Sequence, residues 1–107
     1  MLFRSVRIMR VEYSKSFVKT VKKQSGKTLD SIKTTIQEVK NASKIDDITD
    51  CKKLTGYSSV YRIRVGTWRA FFVYHIEIID DVVFFHYLVP RGQAYSKSVL
   101  DFLKKID

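Results

Sequence analysis

Val60-Tyr61-Arg62-Ile63-Arg64-Val65-Gly66-Thr67-Trp68-Arg69 is the stretch on which the fold turns. Its first six residues alternate apolar with basic, the period-two signature of a half-buried strand. Gly66-Thr67 predicts a two-residue type II′ hairpin turn, because glycine tolerates the positive φ required at the first turn position. That turn sets the register: Val65 faces Trp68, Arg64 faces Arg69, Ile63 faces Ala70 and Arg62 faces Phe71. Arg62, Arg64 and Arg69 then share one sheet face, and Arg64 and Arg69 are direct neighbours with Cβ atoms about 5 Å apart. Like charges so placed cost on the order of 1 kcal/mol in water, and more where water is excluded. An anion between them would offset that cost, so the pattern locates an anion site.

The opposite face reads Tyr61, Ile63, Val65, Trp68, Ala70, Phe72 and Tyr74, an apolar surface to be covered by helices. N-terminal to the hairpin, Val6–Tyr13 predicts a first strand. Ser14 is placed to cap a helix over Lys15–Lys23, with Phe17, Val18 and Val21 as its apolar stripe. Gly26 breaks it. A second helix runs from a Thr28 cap to about Asn41, with Leu29, Ile32, Ile36 and Val39 at helical spacing. Residues 42–55 are polar and read as a connector. After the hairpin come strands at Trp68–Ile79 and Val82–Val89, joined through an Asp80-Asp81 turn and stopped by Pro90, which cannot donate to a ladder. Val99, Leu100, Leu103 and Ile106 predict a short closing helix in the tail from Tyr95 to Ile106. The expectation is one α+β domain over residues 1–107, ordered β-α-α-β-β-β. A helical hairpin covers one face of an antiparallel sheet and the arginine face is left uncovered.

Twenty Lys and Arg against eleven Asp and Glu give a formal charge of +9, which favours a polyanionic partner. Hydrophobic residues make up 45% of the chain, enough for a core and against bulk disorder. Cys51 is the single cysteine, which excludes an internal disulfide and any CxxC metal or redox pattern and fits a reducing cytoplasm. A small apolar filler is the expected role for it. Arg4, Arg7 and Arg10 interrupt the N-terminal apolar residues, so neither a signal-peptide core nor a membrane span is expected there. Two histidines are too few to predict a metal site, and no cofactor is called for.

Lys53-Leu54-Thr55-Gly56, followed by Tyr61-Arg62-Ile63-Arg64-Val65-Gly66-Thr67-Trp68-Arg69, resembles the RelE/ParE toxin superfamily of toxin–antitoxin systems. Arg10-Val11-Glu12-Tyr13-Ser14-Lys15-Ser16-Phe17 and Pro90-Arg91-Gly92-Gln93-Ala94-Tyr95 extend the likeness over nearly the whole chain. RelE-like members are implied to be ribosome-dependent endoribonucleases that cut messenger RNA, whereas ParE-like members inhibit DNA gyrase. Paired basic residues on the first hairpin strand, an arginine on the next, and a late arginine and tyrosine are RelE-like features. By position they fall on Arg62, Arg64, Arg69, Arg91 and Tyr95. The resemblance thus implies a cytoplasmic toxin with a cognate antitoxin, acting on mRNA and the ribosome. A gyrase inhibitor and an RNA-binding module without turnover stand as alternatives.

RNA cleavage of this kind needs a deprotonated 2′-hydroxyl, a stabilised phosphorane and a protonated leaving oxygen. Arginine's planar fork suits the second task and is unfit as a base. Tyr95 is the family-positioned candidate for base or aromatic shelf. Lys52 and Lys53 are placed to touch backbone phosphates, and Phe71 either to stack a base on the arginine face or to be partly buried by the C-terminal tail. With an Asp80-Asp81 turn, His75 and His86 would pair across strands, and His86 is either a further RNA-binding candidate or a structural strand histidine bonded to a neighbour. Trp68, by parity, belongs to the core.

Overall fold

The computed structural model describes residues 8–76 and 80–107. Val6, Arg7 and Ile79, at the ends of expected strands, lie outside them. The chain runs β1 (Ile8–Tyr13), α1 (Lys15–Lys22), α2 (Gly26–Asn41), β2 (Cys51–Lys53), β3 (Val60–Val65), β4 (Trp68–Ile76), β5 (Asp80–Pro90) and α3 (Lys97–Ile106). Ser14 joins β1 to α1: its hydroxyl accepts from the Phe17 N–H at 3.0 Å and donates to the His86 carbonyl at 2.8 Å. Helix α2 begins at Gly26, two residues before the expected cap, and Gly26 takes a φ of +59° that reverses the chain.

The five strands form one sheet in the order β1-β5-β4-β3-β2. The β3–β4 register is the expected one, with Arg64 opposite Arg69 and Arg62 opposite Phe71. Gly66 has a φ of +61° and Thr67 does not share a positive φ, the pattern of a type II′ turn. Three features differ from the sequence expectation. The sheet is mixed, since β1 pairs with β5 in parallel. Strand β2 is a three-residue edge strand inside the expected connector, with Lys52 opposite Arg62. Asp80 and Asp81 belong to β5 itself, with Ile76 opposite Asp81, so they form no two-residue turn.

Helices α1 and α2 lie on the face that holds Met9, Ile63, Val65, Ala70, Phe72, Val83, Phe85 and Leu88, and bury Phe17, Ile32 and Val39 against it. An irregularity in the β4–β5 ladder between Phe71 and Phe72 sets Phe72 opposite Phe85 but Phe71 opposite Tyr87, leaving His86 as an extra residue. This bulge lets both Phe85 and Leu88 face the helices, although they are an odd number of residues apart.

The other face is not bare. Helix α3 packs on it, and Val99 and Leu103 form a second core with Val60, Phe71, Val73 and Ala94. The reason lies in the same parity that aligned the arginines. Val60, Phe71 and Val73 share their face and are apolar, and α3 brings a matching i, i+4 stripe. Leu103 is fully buried there. Leu103→Ala should destabilise the protein by about 2–5 kcal/mol in urea denaturation, and Leu103→Met by less than about 1.5 kcal/mol. Equal, small losses for both would show that α3 is not part of the folded unit.

Candidate functional site

Between the open end of the arginine face and the flank of α3 lies a cleft of about 460 Å³, lined by Lys52, Lys53, Leu54, Thr55, Tyr57, Arg62, Arg64, Tyr95 and Leu100. β2 and β3 supply its cations. Arg62 is only 8% exposed, and its buried Nε has no hydrogen-bond partner. A buried charged donor left unpaired costs at least about 1–3 kcal/mol. Neighbouring Arg64 is exposed. Among the described residues no carboxylate pairs with Arg62, Arg64, Arg69 or Arg91.

Arg69 is 8% exposed and turned back on the hairpin, where Nη1 donates to the carbonyls of Gly66 at 3.1 Å and Trp68 at 2.9 Å. Burial, and then the positive charges of Arg64, Arg62 and Arg91, push its pKa below the ordinary arginine value. Arg91 is held near by its backbone, whose N–H donates to the Thr67 carbonyl at 2.8 Å. These four guanidinium groups therefore form one electrostatic unit, of which Arg62 and Arg64 reach the cleft.

The second wall is built by the β2–β3 connection and α3. Leu54 and Tyr57 close a tight turn (Tyr57 N–H to Leu54 O, 3.2 Å), with Gly56 at a φ of +85°. The Tyr57 hydroxyl donates to the Leu100 carbonyl at 3.2 Å, and Lys104 Nζ stands 4.3 Å from the centre of the Tyr57 ring. The Asp107 carboxylate accepts from the Ser58 and Ser59 N–H groups at 2.9 and 2.7 Å. Those two donors hold its pKa below the usual carboxylate value. Tyr95, 53% exposed, sets its ring edge-on to Phe71.

No family model matches the chain. Over 89 residues, 82% of this chain and 97% of the relative, it is 36% identical to Toxin RelE3 of Methanocaldococcus jannaschii. The chain belongs to the RelE toxin family. Among solved structures, it superposes on the RelB–RelE antitoxin–toxin complex from Methanococcus jannaschii with a TM-score of 0.61 and 30% identity, over 80% of this chain and 96% of that one. The archaeal RelE–RelB complex from Pyrococcus horikoshii shares the fold, with a TM-score of 0.64, 24% identity and coverage of 81% and 99%. So does a mutant E. coli toxin RelE in the free state, with a TM-score of 0.68, 19% identity and coverage of 94% and 99%.

Within this RelE-like frame, the expected residues divide. Arg62, Arg64, Tyr95, Lys52 and Lys53 meet in the cleft. Arg69 and Arg91 adjoin it electrostatically but are not among its lining residues. Phe71 is fully buried beneath α3, so it presents no face on which a base could stack. His75 lies opposite Val82, not His86. His86 stacks on Phe84 with ring centres 4.5 Å apart and meets Phe102 edge-on at 6.0 Å. It does not line the cleft. Cys51 packs against the helix-side core, and burial pushes its thiol up to about 12. Among the described residues no group of three or more His, Cys, Asp or Glu could hold a metal ion, and no helix is long and apolar enough to cross a membrane. Leu54, Tyr57 and Leu100 line the cleft without being among the residues expected there from the sequence. The available signal was Thr55-Gly56-Tyr57, a turn placing an aromatic just before the arginine strand.

Burial, and secondarily the charge of His75, lower the His86 pKa below 6.5. Between that depressed value and 6.5 the unfolded chain binds more protons than the folded one, so this group removes stability as pH falls through the window. His86→Phe should therefore shrink the loss of stability between pH 7 and pH 5 in urea titrations. An undiminished loss would place the acid-sensitive group elsewhere.

Proposed function

We propose that this RelE-family toxin cuts messenger RNA on the translating ribosome and is silenced by a cognate acidic antitoxin. The observation that carries the reading is Arg62: a residue only 8% exposed, with a buried Nε that has no partner, at a cleft shared with Arg64, Lys52 and Lys53. A phosphodiester supplies the missing acceptor oxygens and the missing negative charge together.

In the reaction, the 2′-oxygen attacks phosphorus, a cyclic phosphodiester forms and the 5′-oxygen leaves with a proton. Arg62 and Arg64 grip the non-bridging oxygens, and their hold strengthens as the phosphorane gains charge. Arg69 and Arg91 reinforce the field from behind. Arginine cannot accept the 2′-proton. The 2′-proton passes to a basic group of the cleft, for which Tyr95 is the candidate, and the 5′-oxygen takes its proton from the ammonium of Lys52 or Lys53. His86 is excluded by its place in the aromatic stack. The relatives solved as RelB–RelE complexes support an antitoxin partner, and a chain of net charge +9 favours an acidic one.

Mapping 5′ ends of mRNA on translating ribosomes after adding the protein tests the reading. New ends inside codons are expected with the wild type, and Arg62→Ala should reduce their rate about 100-fold or more, the usual effect of deleting one positioned transition-state donor. No new ends with the wild type, together with blocked DNA supercoiling by gyrase, would replace this reading with the ParE-like one.

A further inference from the structure

The cleft is built in two halves, and the grip on phosphate uses only one. Lys52, Lys53, Arg62 and Arg64 form the cationic half. Leu54, Tyr57, Leu100 and Tyr95 give the other half an apolar and aromatic character. A phosphate group gains nothing from such a wall. A nucleotide has both parts: an anion, and beside it a flat base with a π-face that stacks on aromatic rings.

Phe71, which parity made the natural platform, is sealed under α3. Tyr57, partly buried against the α3-side core, lines the cleft instead, and its ring is immobilised from three sides. The Leu54–Tyr57 turn fixes its backbone, the Leu100 carbonyl takes its hydroxyl, and Lys104 Nζ lies over its ring. Lys104 also donates to the Gly56 carbonyl, and Asp107 ties the following Ser58 and Ser59 to the end of α3. A ring already held still loses little conformational freedom when a base stacks on it. From this we infer that Tyr57 is a base-contacting residue of the cleft, held in place by α3, and that it contributes to which codons are cut. The inference rests on the mRNA-cleavage reading of the same cleft.

The test is single-turnover cleavage on ribosomes programmed with a set of different codons, by wild type, Tyr57→Ala, Tyr57→Leu and Tyr57→Phe. Tyr57→Ala should lower cleavage at favoured codons by about 5- to 150-fold, the range that base–aromatic stacking supports, and flatten the spread between favoured and disfavoured codons. Tyr57→Phe keeps the ring and should keep the spread. Tyr57→Leu preserves bulk without a π-face, so it should flatten the spread even if Tyr57→Ala fails to fold. A uniform loss at every codon, or no loss, overturns the role of Tyr57 while the cleavage reading stands. So does an unchanged codon profile accompanied by weaker neutralisation by antitoxin, which would make the wall a protein contact. No cleavage by the wild type at any codon overturns both.

Discussion

Two guanidinium groups opposed across a hairpin, with a third buried beside them, repel one another wherever the sheet excludes water. Register makes this unavoidable: once Gly66-Thr67 forms the turn, Arg64 must face Arg69, and Arg62 must project from the same side. The protein relieves part of the strain itself. Arg69 spends two N–H contacts on hairpin carbonyls and becomes a structural charge. Arg62 has no such outlet at Nε, and no carboxylate among the described residues neutralises the group. That unpaired donor is the feature on which the proposed phosphate site rests.

Helix α3 turns that cluster into a site. It covers the apolar half of the arginine face, where Val60, Phe71 and Val73 would otherwise be wet, and stops short of Arg62 and Arg64. The cleft is the step between the covered and uncovered parts. Its cationic side belongs to β2 and β3, while its apolar side depends on α3 being docked. The Asp107 contacts with Ser58 and Ser59 and the Lys104 contact with Gly56 join the two.

Local periodicity carried the reading of β3, β4 and their turn, because parity along a strand and the conformational needs of glycine act within a few residues. The helical stripes of α1, α2 and α3 were legible for the same reason, as was the shared face of Arg62 and Arg64, whereas Tyr95 came from the resemblance to the RelE/ParE superfamily. What escaped depends on partners distant in the chain. The parallel pairing of β1 with β5 follows from where the helices set β1 down, which no local pattern encodes. The expected histidine pair fails because Asp80 and Asp81 are strand residues, so Ile76 falls opposite Asp81 and His75 opposite Val82. Phe71 falls on the expected face, and of its two readings the structure takes burial under the C-terminal helix. Tyr57 follows the connector and precedes β3, and its place in the cleft depends on α3, which is distant in the chain.

The most direct measurement is the Nε–H resonance of each arginine in ¹H–¹⁵N spectra, followed while a non-cleavable dinucleotide phosphodiester is titrated in. Arg62 should show the largest shift and the greatest slowing of proton exchange, with Arg64 moving in parallel. Saturation at one concentration for both would mark a single bound anion. Perturbation confined to Arg91 and the exposed lysines, with Arg62 unmoved, would mean that its buried donor does not await a phosphate.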